Sequence, residues 1–152
     1  MFAKKIMASI IKTSVTINKP VGKVWELFMN PDNLNHWLTC FISITFLEGR
    51  YGEPGSRYKL LFKERGKEME FTEKVLQIEP LQHYRFDVQH KMLSSENDFR
   101  FISFGEYTEV IHTIHPFPKG LFMKLMMPFI KKSIEKRMKD DLTSLKKFVE
   151  NH

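Results

Sequence analysis

Residues 98–114 read DFRFISFGEYTEVIHTI, two runs of alternating aromatic and β-branched residues on either side of Gly105-Glu106. A two-residue loop with glycine first has the composition of a type II′ turn, whose twist suits two antiparallel strands. That loop sets the pairing by arithmetic: Phe104 opposite Tyr107, Ser103 opposite Thr108, Phe101 opposite Val110 and Phe99 opposite His112. Because side chains alternate across a strand, one face carries Phe99, Phe101, Val110, His112 and Ile114. The other carries Arg100, Ile102, Glu109 and Ile111. The first face is the more apolar and is expected to turn inward, taking the His112 imidazole with it.

The rest of the chain supplies partners for this hairpin. Residues 10–18, IIKTSVTIN, are rich in β-branched types and predict a first strand. Pro20 opens a short helix with Val21, Val24, Trp25 and Phe28 on one stripe. In NPDNLNHW, residues 30–37, Asn30 caps a second short helix, Pro31 takes its first position and Asp32 complements its dipole. Leu34, Trp37 and Leu38 share the apolar side of that helix, and His36 lies nearer the polar side. From Cys40 the pattern turns strand-like: CFISITFLEG, a YGEPGS turn, then RYKLLFK with Tyr58, Leu60 and Phe62 on one face. EMEFTEKVLQIEP is a longer strand with no clear inner face, as a bulge would make it, and HYRFDVQHK sets Tyr84, Phe86 and Val88 against Arg85, Asp87 and Gln89. Residues 119–149 predict one long helix. Phe122, Leu125, Met126, Phe129 and Ile130 lead its apolar stripe, Leu142, Leu145, Phe148 and Val149 follow, and Pro128 is expected to kink or divide it. With no repeat and no linker, the order of elements defines one α+β domain over residues 1–152.

Composition narrows the partners. A chain that is 42% hydrophobic and 28% charged is globular, and its fourteen Phe suit either a dense core or an apolar cavity. The net charge of +6 permits an anionic partner, but the lysines are dispersed, without zinc spacing or an RNA-binding aromatic motif, so no nucleic-acid partner is expected. Only residues 131–139, KKSIEKRMK, form a basic cluster, read first as a solvated helix face and second as a weak contact for an anionic surface or a protein. The one cysteine, Cys40, excludes an intrachain disulfide, fits a reducing compartment and is expected to be a small buried hydrophobe. In the opening MFAKKIMASIIK the apolar stretch ends at Lys12 after six residues, too short for a signal-peptide core. No run has transmembrane length, so the expectation is a cytoplasmic location without integral membrane association. The oligomeric state is open.

The segments INKPVGKVWELFMNPDNLNHW, GEPGSRYKL, GEYTEVIHTI and LTSLKKFVE, in this order of elements, resemble the START/Bet v1-like (SRPBCC) superfamily, and within it the polyketide cyclase/dehydrase-like branch. The resemblance spans about Ile11 to Glu150 and implies a helix-grip fold, a curved antiparallel sheet wrapped around the C-terminal helix with a hydrophobic cavity between them. It also implies a lipid, polyketide or similar apolar or amphipathic ligand, with catalysis in only some members. Aromatic inner positions on several strands can form the walls of such a cavity, and Met123, Met126 and Met127 an adaptable lid. The expected ligand-binding set is Tyr58, Leu60, Phe62, Phe86, Phe99, Phe101, Val110, His112, Met126 and Phe129.

Catalytic motifs are sparse. There is no nucleophile elbow, and Cys40 and His36 are close only along the chain. His112 and His115 are three apart on a strand and point to opposite faces, so no metal and no cofactor are expected. The resemblance implies cyclase or dehydratase chemistry as the alternative to plain binding, a lyase without metal that moves protons in the same cavity. His112 is then the best catalytic candidate, with Tyr58 as a hydrogen-bond partner and Glu70 or Arg85 reaching the mouth. A third reading is an interaction module resembling Hsp90-activator domains, docking through residues 131–139.

Overall fold

The computed structural model describes residues 9–152. The opening MFAKKIMA, on which most of the signal-peptide reading rests, lies outside the described residues. Seven strands form one antiparallel sheet: β1 (Ile11–Ile17), β2 (Phe41–Glu48), β3 (Arg57–Glu64), β4 (Lys67–Glu79), β5 (His83–Gln89), β6 (Leu93–Ser103) and β7 (Thr108–Pro118). Their order across the sheet is β1-β7-β6-β5-β4-β3-β2. Between β1 and β2 lie α1 (Val21–Phe28), a single 3-10 turn (Pro31–Asn33) and α2 (Leu34–Trp37). The long helix α3 (Gly120–Glu150) closes the chain. This is the helix-grip architecture.

The 105–106 hairpin pairs in the register that its loop dictates, with Ser103 opposite Thr108, Phe101 opposite Val110 and Phe99 opposite His112. Gly105 adopts φ +77°, a conformation that costs glycine no Cβ clash. Both strands run further than the alternation alone marks, β6 starting at Leu93 and β7 ending at Pro118. Ser94, Ser95 and Asn97 disguise the first extension, and Pro116 and Pro118 the second. β7 pairs with β1 only as far as Ile114, so beyond it the prolines can turn their donor-less side away from the β6 ladder. In β4 a register shift between Val75 and Gln77 switches the inner face, which is why its alternation is ambiguous.

Asn30 caps the restart after α1, its Oδ1 accepting from the Asp32 backbone N–H at 3.0 Å. Trp37 turns inward, its ring stacked 5.2 Å from Phe28, and exposed His36 stacks on Phe148. Phe28 also meets Trp25, Tyr84, Phe99 and Phe101 within 6.5 Å, so α1 plugs one end of the curved sheet with aromatic rings.

Three expectations are corrected. Cys40 is exposed, at φ +63°, in the turn that enters β2; a strand-like sequence after it made it look like a core position. The stripe on α3 is also reversed in its first half. Phe122, Leu125 and Phe129 are 65–69% exposed, and the inward row is Met123, Met127 and Met138. Residues 121–130 are apolar on both sides of the helix, so periodicity alone cannot tell the inner side from the outer. Pro128 neither ends nor divides α3, which runs on as one helix. Its position on the exposed side leaves water free to satisfy the carbonyl that its missing N–H abandons.

These burials predict opposite outcomes for two phenylalanines. Phe28→Ala should destabilise the fold by about 3–5 kcal/mol, because it empties the ring cluster. Phe129→Ala should change stability by no more than about 0.5 kcal/mol. Urea denaturation of the two variants checks the contrast.

Candidate functional site

Between the concave face of the sheet and α3 lies a cavity of about 410 Å³. Its walls are rows of inward side chains: Tyr58, Leu60 and Phe62 from β3, Phe71 and Glu73 from β4, Tyr84, Phe86 and Val88 from β5, Asn97 and Phe99 from β6, and His112 and Ile114 from β7. Phe28, Leu34 and Trp37 contribute from the short helices, and Met123, Ile134, Met138 and Leu142 from α3. Six of the ten residues expected around a ligand stand in this wall: Tyr58, Leu60, Phe62, Phe86, Phe99 and His112. The other four do not. Phe101 and Val110 lie on the inner face, but α1 covers that part of the sheet and packs them into solid core. Met126 is half-buried and Phe129 is exposed, because α3 turns Met123 and Met127 inward in their place. Glu70 and Arg85 are on the convex face, Glu70 3.4 Å from the Lys59 ammonium and Arg85 3.0 Å from Glu96, so neither reaches the cavity.

The polar groups of the cavity fall into three sets. The first surrounds Glu73. Its partner across β3 is Tyr58 and across β5 is Val88, so the carboxyl projects from the middle of the concave face. The Tyr84 hydroxyl donates to Glu73 Oε1 at 2.9 Å. Tyr51 stacks on Tyr58 at 5.1 Å, and the Tyr58 hydroxyl accepts from the Gly52 N–H at 2.7 Å and donates to the Arg50 carbonyl. Gly52 is required there, since a Cβ would come within 3.1 Å of Met29 and its φ is +81°. Burial pushes the Glu73 carboxyl up to about 7, with the Tyr84 hydrogen bond opposing only part of the rise. Burial and the nearby carboxylate push the Tyr51 and Tyr84 phenols up as well, so both stay protonated donors.

The second set is a relay along β6 and β7. Asn97 Nδ2 donates to Ser95 Oγ at 3.0 Å, which turns the amide oxygen toward His112 Nε2 at 2.9 Å. A carbonyl oxygen only accepts, so His112 carries its proton on Nε2 and presents a lone pair at Nδ1. The ring stacks on Phe99 at 3.9 Å, and burial lowers its pKa to about 3. His112 is therefore a neutral hydrogen-bonding group.

The third set joins α3 to the end of α2. Asp141 accepts from both the backbone N–H and the hydroxyl of Thr39, Arg137 donates to the Thr39 carbonyl at 2.7 Å, and the Arg137 guanidinium lies 4.7 Å from the Phe62 ring centroid. Arg137 and Asp141 both line the cavity. Glu73 pairs with Tyr58, whereas Arg137 lies over Phe62, four residues further along β3, so the two sets stand at different levels of the cavity. Glu73 and the Arg137–Asp141 pair are the functional candidates that sequence reading missed. A signal for Glu73 was available, since Met69, Phe71, Glu73 and Val75 share one parity on β4, but the bulge after Val75 hid which parity faces in.

Among the described residues, no cluster of three or more His, Cys, Asp or Glu side chains is arranged to hold a metal. No helix among them is long and apolar enough to cross a membrane.

A curved sheet gripping one long helix around an apolar cavity is the architecture of the START/Bet v1-like superfamily. The chain belongs to the polyketide cyclase/dehydrase and lipid transport family, whose model matches residues 9–150. Among solved structures it is similar to the Zhui aromatase/cyclase from Streptomyces sp. R1128, with 14% identity, TM-score 0.80 and 93% of each chain covered. A START superfamily protein from Mycobacterium smegmatis is similar at 14% identity and TM-score 0.77, over 95% of this chain and 99% of that one. Norcoclaurine synthase from Thalictrum flavum, solved with dopamine and hydroxybenzaldehyde, is similar at 14% identity and TM-score 0.71, over 96% of this chain and 89% of that one. These likenesses carry the fold. No protein with a curated description matches the sequence.

The raised Glu73 carboxyl predicts a pH-dependent stability. An ordinary glutamate in the unfolded chain ionises near pH 4.5, whereas the folded protein holds its proton to about 7, so stability falls as pH rises through that window. Glu73→Gln should therefore raise Tm at pH 8 and leave it nearly unchanged at pH 4. Thermal unfolding of both proteins at the two pH values is the check, and equal shifts at both would contradict the assignment.

Proposed function

We propose that this protein binds an amphipathic small molecule, largely apolar, with its hydrogen-bonding group at Glu73 and Tyr84. The observation that carries the reading is the cavity itself. Its 410 Å³ falls in the range of about 300–1,000 Å³ typical of small-molecule sites, and aromatic and aliphatic walls surround a few polar groups, the Glu73–Tyr84 pair among them. Burial supplies the affinity, about 25 cal/mol per Å² of apolar surface removed from water, and the polar set supplies orientation. With Glu73 near its midpoint at neutral pH and His112 uncharged, the cavity can accept a neutral hydroxyl or carbonyl without stranding a full charge. Lipids and polyketides share this chemistry. The family description names both lipid transport and the polyketide cyclases.

A second reading, a cyclase- or dehydratase-type lyase, draws support from the same carboxyl. A general acid–base group works best with its pKa near the working pH, and Glu73 meets that condition where His112, at about 3, does not. In that reading Glu73 replaces His112 as the proton-moving group, Tyr84 holds the Glu73 carboxyl in place, and the neutral His112 accepts at Nδ1 from a ligand hydroxyl.

Binding of the neutral fluorophore N-phenyl-1-naphthylamine tests the first reading. Wild type should bind it, Leu60→Trp should weaken binding by about tenfold or more by filling the cavity, and Phe101→Leu should change it little. Native mass spectrometry of protein purified from its own host should also show a retained small molecule. A retained molecule that emerges chemically unchanged after incubation with fresh wild-type protein would count against the lyase reading. If it is converted, Glu73→Gln should slow conversion by about 10²–10⁴.

A further inference from the structure

We propose that the outward face of α3 between Leu121 and Lys132 docks this protein on the surface of an anionic phospholipid bilayer. Leu121, Phe122, Leu125 and Phe129 are 74%, 65%, 67% and 69% exposed. Helix geometry places successive residues about 100° apart, which gathers these four on one side, opposite Met123, Met127 and Met138. Scattered apolar residues on a surface are ordinary, but four large ones on consecutive turns of one helix are a patch. Beside the start of the helix, exposed Met92 is tied to it, its carbonyl accepting from the Lys119 N–H at 3.0 Å.

Charge identifies the occupant. The stretch from Gly120 to Ile134 contains Lys124, Lys131 and Lys132 and no acidic residue. None of these three lysines forms an ion pair among the described residues, whereas Lys136 and Lys139 further along are engaged by Asp140 and Glu135. Lys132 continues the outward row beyond Phe129, Lys124 borders that row on one side, and Lys131 lies further round toward the inner row. Apolar side chains rimmed by free lysines, in a helix lying along the surface, are the pattern of an interfacial segment that seats its rings among acyl chains and its ammonium groups among lipid phosphates. A protein partner would need an apolar groove edged by carboxylates spaced to meet these lysines, whereas a bilayer of anionic lipid offers both features without a fixed spacing. A second copy of this chain fits worst, since two-fold pairing of one face with itself would gather two sets of these three lysines into one contact with no acidic residue from this stretch to meet them.

The position of the patch gives the docking a use. Met123 and Ile134 on the inner side of the same stretch line the cavity, together with His90 and Met92 from the β5–β6 connection. A docked protein would therefore hold this end of its cavity at the bilayer, and an apolar ligand could pass between them with little exposure to water. That transfer rests on the ligand-binding reading; the docking does not.

Flotation with vesicles of phosphatidylcholine, with and without phosphatidylglycerol, at low and high salt, tests it. Wild type should float with the phosphatidylglycerol vesicles at low salt and much less with phosphatidylcholine alone. The double variant Leu125→Glu/Phe129→Glu should bind at least about tenfold more weakly to the anionic vesicles. Lys124→Gln/Lys131→Gln/Lys132→Gln should lose the salt dependence and most of the anionic preference. Both variants should keep wild-type binding of N-phenyl-1-naphthylamine, which separates a docking defect from a damaged cavity. The proposal is overturned if wild type ignores anionic vesicles, or if the variants float as well as wild type. It is equally overturned if wild type is a dimer that Leu125→Glu/Phe129→Glu makes monomeric. Loss of fluorophore binding by wild type with flotation intact would remove the ligand reading and leave the docking standing.

Discussion

Helix α3 is packed to completion at one end and stands off the sheet at the other, and the rest of the molecule follows from that asymmetry. Leu142, Leu145 and Val149 are essentially inaccessible, and this end of the helix lies against β1 and the two short helices. Toward Gly120 the helix spans the concave sheet instead of filling it, offering only the flexible side chains of Met123 and Met127 as buried inward groups. The packed end anchors the helix and the open end leaves the cavity. Phe28 does the complementary work, occupying with its five ring neighbours the part of the sheet that would otherwise also be void. The volume that remains is the part of the grip that neither α1 nor the packed end of α3 reaches.

Inside that volume, two titratable groups are driven in opposite directions by one cause. Removal from water disfavours a charge of either sign, so the Glu73 carboxyl rises to about 7 and the His112 imidazole falls to about 3. Both become groups that are neutral or easily neutralised. The remaining charges, Arg137 and Asp141, are both held by Thr39, on the helix side of the cavity. A cavity built this way penalises an ion with no partner and suits a molecule whose few polar atoms meet hydrogen-bonding groups already in place. Tyr84 and the Asn97–His112 relay are such donors and acceptors, fixed by strand register and needing no rearrangement.

The sheet was legible because its information is local. Gly105-Glu106 fixes one loop, alternation fixes the faces on either side of it, and the pairing of Phe99 with His112 follows without reference to the rest of the chain. The caps and prolines around Asn30 are local in the same sense. What was not legible depends on partners far away in sequence. Phe101 and Phe99 alternate alike on β6, and only the packing of Trp25 against Phe101 decides that one is core and the other cavity wall. The choice between the two apolar sides of α3 likewise depends on where the sheet lies. Glu73 was concealed by one extra residue: a bulge after Val75 makes each parity of β4 look half apolar.

Two of the places where pattern failed carry the functional argument. A helix needs one apolar side to be held by a core, and α3 has a second, so the surplus of Leu121, Phe122, Leu125 and Phe129 has no explanation in folding. An inner strand row needs no carboxylate, and Glu73 interrupts one between Phe71 and Val75 at a cost in stability that rises with pH. Residues that fold a chain agree with their local pattern; residues that cost stability without serving the core need another reason to be there. In this protein one such reason faces the interior, where a ligand's polar group would satisfy the carboxyl. The other faces outward, where a lipid surface would cover the rings.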